Sequence, residues 1–164
     1  MSSSELTRRG LLAGTAALLA GCGFELKHVP DLPFRSIALT GFAPRSPLAE
    51  ELKQALARQV RVAASPDQVD VVLQALADTR ERSVVAQTAA AQVRELQLRV
   101  KLQFKAHTPG GRELLPSSVL LLARDLSYNE TQALAKAQEE TELYREMQTD
   151  VVMQVLRRLS AIKV

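Results

Sequence analysis

The chain has 164 residues, 46% of them hydrophobic, and its 21 basic and 18 acidic side chains leave a net charge of +3. That length gives one domain with room for a core, and the charges are not gathered into the concentrated basic patch that a nucleic-acid partner requires. With a single cysteine there is no internal disulfide, so packing must hold the fold.

Arg8 and Arg9 precede an uncharged stretch, Gly10 to Gly21, too short to span a bilayer. These are the positive and apolar regions of an export signal. The stretch closes on Leu19-Ala20-Gly21-Cys22. A plain secretory signal ends in small residues and needs no cysteine, and a chance cysteine behind such a signal is the alternative. Leu-Ala-Gly-Cys resembles the lipobox of bacterial lipoproteins. The resemblance implies cleavage after Gly21, a diacylglyceryl thioether on Cys22 and a third acyl chain on the new amino terminus. At about 0.8 kcal/mol per buried CH2 one chain binds a membrane marginally, whereas two or more hold it stably. Gly23 stands where an aspartate would resemble an inner-membrane retention signal, which favours the outer membrane. Thr7 to Leu12 also resembles a twin-arginine signal, so the general and twin-arginine routes both stay open. The expected organisation is a signal peptide over 1–21, a lipidated N-terminus and linker over 22–33, and one domain over 34–164.

Phe34 to Thr40 has the composition of a short strand, ended by Gly41 and Pro44. Ser46 and Pro47 form an N-cap and N1 pair, Glu50 and Glu51 suit the positive end of a helix dipole, and Leu48, Leu52 and Leu56 recur every four residues. An amphipathic helix to about residue 59 follows. Val60 to Ala63 can be extended before the turn Ser65-Pro66-Asp67, and Val69 to Leu76 alternates imperfectly as a strand. Asp78 to Ser83 is polar, and Ala86 to Gln92 carries no strand signal, so a mobile small-residue loop is expected there.

The cleanest pattern comes next. Leu96, Leu98, Val100, Leu102, Phe104 and Ala106 alternate strictly with Gln97, Arg99, Lys101, Gln103 and Lys105, the period of a strand with one buried face. Thr108 to Arg112 turns the chain, and Val119 to Leu126 returns as a hairpin partner, with Pro116 near its start. Asn129 and Gln132 resemble a capping pair, and Tyr144, Met147, Val151, Val155 and Leu159 have helical spacing. One long helix and two segments kinked near Thr141 both fit. The order strand, helix, strands, helix predicts an α+β sandwich, two helices on the apolar face of a mostly antiparallel sheet.

Chemistry finds few candidates. His28 and His107 have no metal-ligand spacing, no serine or cysteine sits in a nucleophile context, and no glycine-rich phosphate loop is present. Glu139, Glu140 and Glu142 read as a solvated helix face. Neither an enzyme, a metal nor a cofactor is expected. Arg99, Lys101 and Lys105 make a cationic strand face, either the solvent side of an antiparallel strand or a donor array for phosphates. Lys136 stands near the start of a helix, the wrong end for a cation by the dipole argument.

Cys22 to Leu26 after the lipobox, Tyr128-Asn129-Glu130-Thr131-Gln132-Ala133-Leu134-Ala135-Lys136, Glu139-Glu140, Tyr144 to Met147, Asp150 and Leu156 to Leu159 together resemble the LptE family of lipopolysaccharide-assembly lipoproteins. The resemblance implies two helices on a four-stranded sheet, lodged as a plug in the lumen of the large β-barrel LptD, one to one. It implies a part in barrel assembly and in lipopolysaccharide binding at the outer membrane. By position, Lys136 matches a lysine implicated in lipopolysaccharide contact. A second cation expected before the long strand has no clear counterpart, and Arg94 and Arg99 are the candidates. The alternatives are a lipoprotein scaffold subunit of another envelope machine and a periplasmic enzyme or small-ligand carrier.

Overall fold

The structure, a computed structural model, describes residues 30–163. The leader, Cys22, the motif through Leu26 and His28 lie outside the described residues. Strand β1 (Ser36–Thr40) leads through Gly41 to helix α1 (Pro47–Ala57). Ser46 caps that helix as its sequence predicts: its Oγ accepts the Ala49 N–H at 3.1 Å, and Leu48, Leu52 and Leu56 are buried. Strand β2 (Arg61–Ala63), β3 (Val71–Gln87), β4 (Val93–His107) and β5 (Glu113–Ser127) follow. A 3-10 turn, Glu130–Gln132, then runs into α2 (Ala133–Ser160).

The α+β class holds, but the sheet has five strands and is mixed, in the order β2-β1-β3-β4-β5, rather than four mostly antiparallel strands. The addition is β2, whose three residues are too few for a periodic signal. β1 runs parallel to both neighbours, with Ser36 opposite Arg61 and Ile37 opposite Val71. A crossover helix between two strands of one sheet makes them parallel, and α1 is such a crossover. The β3-β4-β5 part is antiparallel as expected.

All six alternating apolar residues of β4 are at most 2% exposed and face the two helices. Their cluster joins Ile37, the α1 leucines, Leu73, Leu120 and the α2 stripe Met147, Val151, Val155 and Leu159. A smaller cluster, Ala38, Val69 and Val72 with Ala63, lies apart from it.

Strand β3 is much longer than its apolar pattern. It continues through Asp78–Ser83 to Gln87, and the expected loop shrinks to the turn 88–92. A bulge explains the misleading alternation. Ala75 pairs with Phe104 but Ala77 with Gln103, so Leu76 is an extra residue and the facing parity switches. Beyond it Asp78, Arg80 and Arg82 occupy the positions opposite Leu102, Val100 and Leu98, under α2 and α1. There they meet polar partners: Asp78 accepts from the Ser46 hydroxyl, Arg80 donates to Gln148, and Arg82 pairs with Glu140 at 3.2 Å. Gln148, 6% exposed, donates in turn to Glu51 Oε2 at 2.6 Å and the Pro47 carbonyl at 3.0 Å. Pro116 lies inside edge strand β5 at a second irregularity, where Phe104 pairs with Ser118 and Ala106 with Leu115, a place that tolerates a missing N–H.

Helix α2 is a single unbroken element of 28 residues, about 42 Å long at 1.5 Å per residue. Asn129 caps only the 3-10 turn, its Oδ1 accepting from the Thr131 N–H at 3.1 Å, and Gln132 gives no reciprocal side-chain bond.

Asp70 ties the start of β3 to the start of β1. Its Oδ2 accepts the Arg35 and Ser36 N–H groups, each at 2.9 Å, and its own N–H donates to Ser36 Oγ at 3.0 Å. The Arg35 N–H is the main cause that holds this carboxyl below its ordinary value of 3.8, against a smaller desolvation. A carboxyl depressed in the folded state adds stability above its unfolded value, and that stability is lost as pH falls through the folded one. Asp70→Asn should therefore lower the unfolding temperature at neutral pH, with the difference from wild type fading as pH falls below the ordinary carboxyl value of 3.8.

Candidate functional site

Two of the three candidate cations, Lys136 and Arg94, gather where the sheet ends farthest from β1. The turn 88–92 closes β3 onto β4 with Thr88 N–H donating to the Gln92 carbonyl at 2.9 Å, and Ala91 takes a positive φ of 61° there. At the same end β5 passes into α2, and the Tyr128 N–H donates to the Arg94 carbonyl at 2.8 Å. Arg94 is exposed and shares with Gln92, Val93, Asn129, Glu130 and Thr131 a recess of about 190 Å³.

Lys136 sits in the first turn of α2, its side chain only 16% exposed. Its ammonium donates to Glu139 Oε2 at 2.8 Å and to Ser127 Oγ at 3.1 Å, so it fastens the helix start to the end of β5. That contact answers the dipole objection in part: a neighbouring carboxylate offsets the unfavourable position. Ser127 is registered with Glu95, the residue after Arg94, which puts Lys136 and Arg94 at one tip. The tip is charge-mixed, since Glu130 lines the recess and Glu139 is already paired. An anion arriving here would take Lys136 over from Glu139.

Arg99 does not join them. It stands farther along β4 on the face away from the helices, opposite Glu81 and Ala123, and its Nε donates to Gln97 Oε1 at 2.7 Å. Lys101 and Lys105 share that face, with Leu121 beside Lys101 and Val119 beside Gln103. Leu121 is 61% exposed and Val119 50%, a half-apolar surface that the alternation of β4 alone does not announce.

The remaining candidates are engaged structurally. Glu139, Glu140 and Glu142 pair with Lys136, Arg82 and Arg145. His107 Nδ1 lies 2.8 Å from the Thr108 carbonyl. Among the described residues no group of three His, Cys, Asp or Glu could hold a metal. Tyr144, missed as more than a stripe residue, donates its hydroxyl to the Glu81 carbonyl at 2.8 Å while the Arg80 guanidinium lies 5.3 Å from its ring centroid. Burial, with the nearby Glu140 charge, pushes its phenol above the usual 10. A cleft of about 420 Å³ between α1 and α2 has an apolar floor including Val152 and Leu156, but Glu51 on its rim is already taken by Gln148 and Thr149.

The LptE family model, lipopolysaccharide-assembly, matches residues 34–159. The chain belongs to the LptE family. The solution structure of an uncharacterized lipoprotein B from Nitrosomonas europaea is similar at 29% identity and a TM-score of 0.72, over 85% of this chain and 91% of that one. A minor lipoprotein from Acinetobacter baumannii matches at 25% identity and 0.63, over 79% and 93%. The rare lipoprotein B of Shewanella oneidensis shares the fold at 24% identity and 0.58, over 76% and 90%. Comparison with curated proteins finds no match. The LptE match takes in the whole sheet and nearly all of α2, so both the tip and the outer sheet face fall within the family's domain.

Proposed function

We propose that this LptE-family chain is an outer-membrane lipoprotein, acylated on Cys22 after removal of residues 1–21, that plugs and helps assemble the LptD β-barrel and binds lipopolysaccharide on its way to the outer leaflet. The observation that carries the reading is the separation of the two ends of the domain. The N-terminal linker joins at one end, where the Pro30 carbonyl accepts from Gln59 Nε2 at 3.3 Å, while Lys136 and Arg94 occupy the other. From Lys136 to Ser160 is about 36 Å along α2, comparable to a hydrocarbon core of about 30 Å. A domain tethered at the inner leaflet and inserted along a barrel would carry its tip cations to the level where lipid A phosphates arrive.

The flanks suit that setting. A barrel lumen is polar, and the outer sheet face offers Gln97, Arg99, Lys101 and Gln103 with scattered apolar contacts. Arg99 serves there as a wall contact or a secondary phosphate donor, whereas Lys136 and Arg94 supply charge-assisted donors at the tip.

Lys136→Asp is the direct test of the tip. The substitution removes a cation together with its ties to Ser127 and Glu139 and places a carboxylate beside Glu139; the positive end of the helix dipole recovers part of that loss, so the cost is about 1 kcal/mol. Lipopolysaccharide affinity in a titration should fall roughly tenfold or more while the domain still folds, its thermal transition lowered by only a few degrees. Unchanged affinity would remove Lys136 from the ligand site.

A further inference from the structure

We infer that the end of the domain from which the tether leaves is a docking surface for an anionic phospholipid bilayer, an inference that rests on the lipid-tether reading of Cys22. The registers bring β1, β3 and β5 to their starts and β4 to its finish at this end, because Ser36 lies opposite Arg61, Val72 opposite His107 and His107 opposite Glu113. Both helices also finish there: α1 runs directly into β2, and residues 161–163 beyond α2 border the β4-β5 turn.

Arg58, Arg61, Arg112, Arg157, Arg158 and Lys163 therefore converge on one end, and all but Arg158 are exposed. Arg112, Arg158 and Lys163 line a recess of about 320 Å³ whose walls include Leu114, Leu115 and Ile162, with Glu113 as its one carboxylate. The helix dipole accounts for Arg157 and Arg158 but not for Arg61 on a strand or Arg112 at a turn. Of the acids at this end, Asp70 is committed to the Arg35 and Ser36 N–H groups and Asp67 to the Ser65 hydroxyl, which leaves the exposed Asp31 and Glu113 against six cations. The ion pairs of the described residues, Arg82–Glu140, Arg124–Asp150, Lys136–Glu139 and Arg145–Glu142, lie farther along α2 and the sheet.

The partner follows from where the chain leads. Cys22 precedes Pro30 by eight residues, at most about 29 Å of extended chain, so acyl chains on it would hold this end against the lipid surface. Gln59, which grips the Pro30 carbonyl, stands between Arg58 and Arg61 in sequence. Cations within a Debye length of an anionic leaflet are each drawn to it. Together they would hold the base of the free lipoprotein against the headgroups before a barrel takes up the domain.

The experiment uses the full chain purified from its native membrane and mixed with vesicles of phosphatidylcholine alone or with about a third phosphatidylglycerol. Flotation with the neutral vesicles reports the tether by itself. Amide hydrogen exchange over 108–115 and 158–163 reports the base, and should slow roughly tenfold on the anionic vesicles only, reverting in high salt. The pair Arg112→Glu and Lys163→Glu should abolish the slowing, whereas the pair Arg124→Glu and Arg145→Glu, the same charge change made away from the base, should keep it. Equal exchange on both vesicles, or protection that survives the double variant, overturns the inference. If neutral flotation fails, the tether reading fails, and the base is still read from flotation and exchange on the anionic vesicles.

Discussion

Phe104→Ala should cost about 3–5 kcal/mol and lower the unfolding temperature by roughly 10–20 °C. The ring is fully buried in the last third of β4, where the pleat delivers it between the strands and the two helices. It is among the largest fully buried side chains, and the Arg158 guanidinium lies 5.8 Å from its centroid. Truncation loses the transfer free energy of the ring and leaves a cavity that Leu102, Leu73 and Leu156 can fill only by moving. Phe104→Leu should cost less than half as much, since most of the apolar volume remains. Thermal melts of the two variants separate a packing role from a wider misfolding, because only the first predicts graded loss. With total stabilities of about 5–15 kcal/mol for a domain of this kind, the alanine variant would be marginal at physiological temperature.

Gly41→Ala should be comparably damaging for a different reason. Gly41 leaves β1 at a φ of +76°, and a Cβ there would lie 2.2 Å from the Ala75 carbonyl oxygen, inside any allowed contact. Positive φ alone costs a residue with a Cβ about 1–2 kcal/mol. The overlap adds at least as much, because Ala75 is backbone paired to β4 beside the Leu76 bulge and cannot swing away like a side chain. The total should reach about 3 kcal/mol or more. Gly111→Ala is the control within the same experiment: its φ is +87° but nothing lies within 4 Å, so only the backbone strain remains. Equal losses for the two glycines would show that the approach to Ala75 carries no cost.

The parts of this fold that were legible are those where one physical term dominates. In β4 a single buried face imposes strict alternation, and in α1 a Ser-Pro cap and three leucines point to one helix. The rest depended on terms a local pattern does not hold. β3 reads as broken because the bulge at Leu76 switches its parity and places Asp78, Arg80 and Arg82 beneath the helices, where Ser46, Gln148 and Glu140 satisfy them. Charged residues facing a helix look like loop until their partners, scores of positions away, are known. β2 is three residues held by pairing with β1, so its strand character resides in its neighbour.

The candidate site was legible unevenly. Lys136 was set apart by its place at the start of a helix and by the family resemblance, Arg94 by the resemblance alone, and the structure brings them to one tip because Ser127 and Tyr128 tie the end of β5 to both. Arg99 belongs to the outer face instead. The partner of Lys136 was locally encoded as Glu139, an i,i+3 neighbour, yet the dipole argument drew attention away from it. The exposed Leu121 and Val119 were hidden inside a strand pattern that is mostly apolar on both faces.

The claim on which the account turns is that this domain works inside a barrel. The direct measurement replaces Leu121, on the outer sheet face, with a photoreactive residue, irradiates intact cells and purifies the protein from outer membranes in mild detergent. The account predicts a one-to-one complex with a single large β-barrel protein, with crosslinks from residue 121 into strands of the barrel wall. A chain that emerges alone, or crosslinks only to soluble periplasmic proteins, would contradict it.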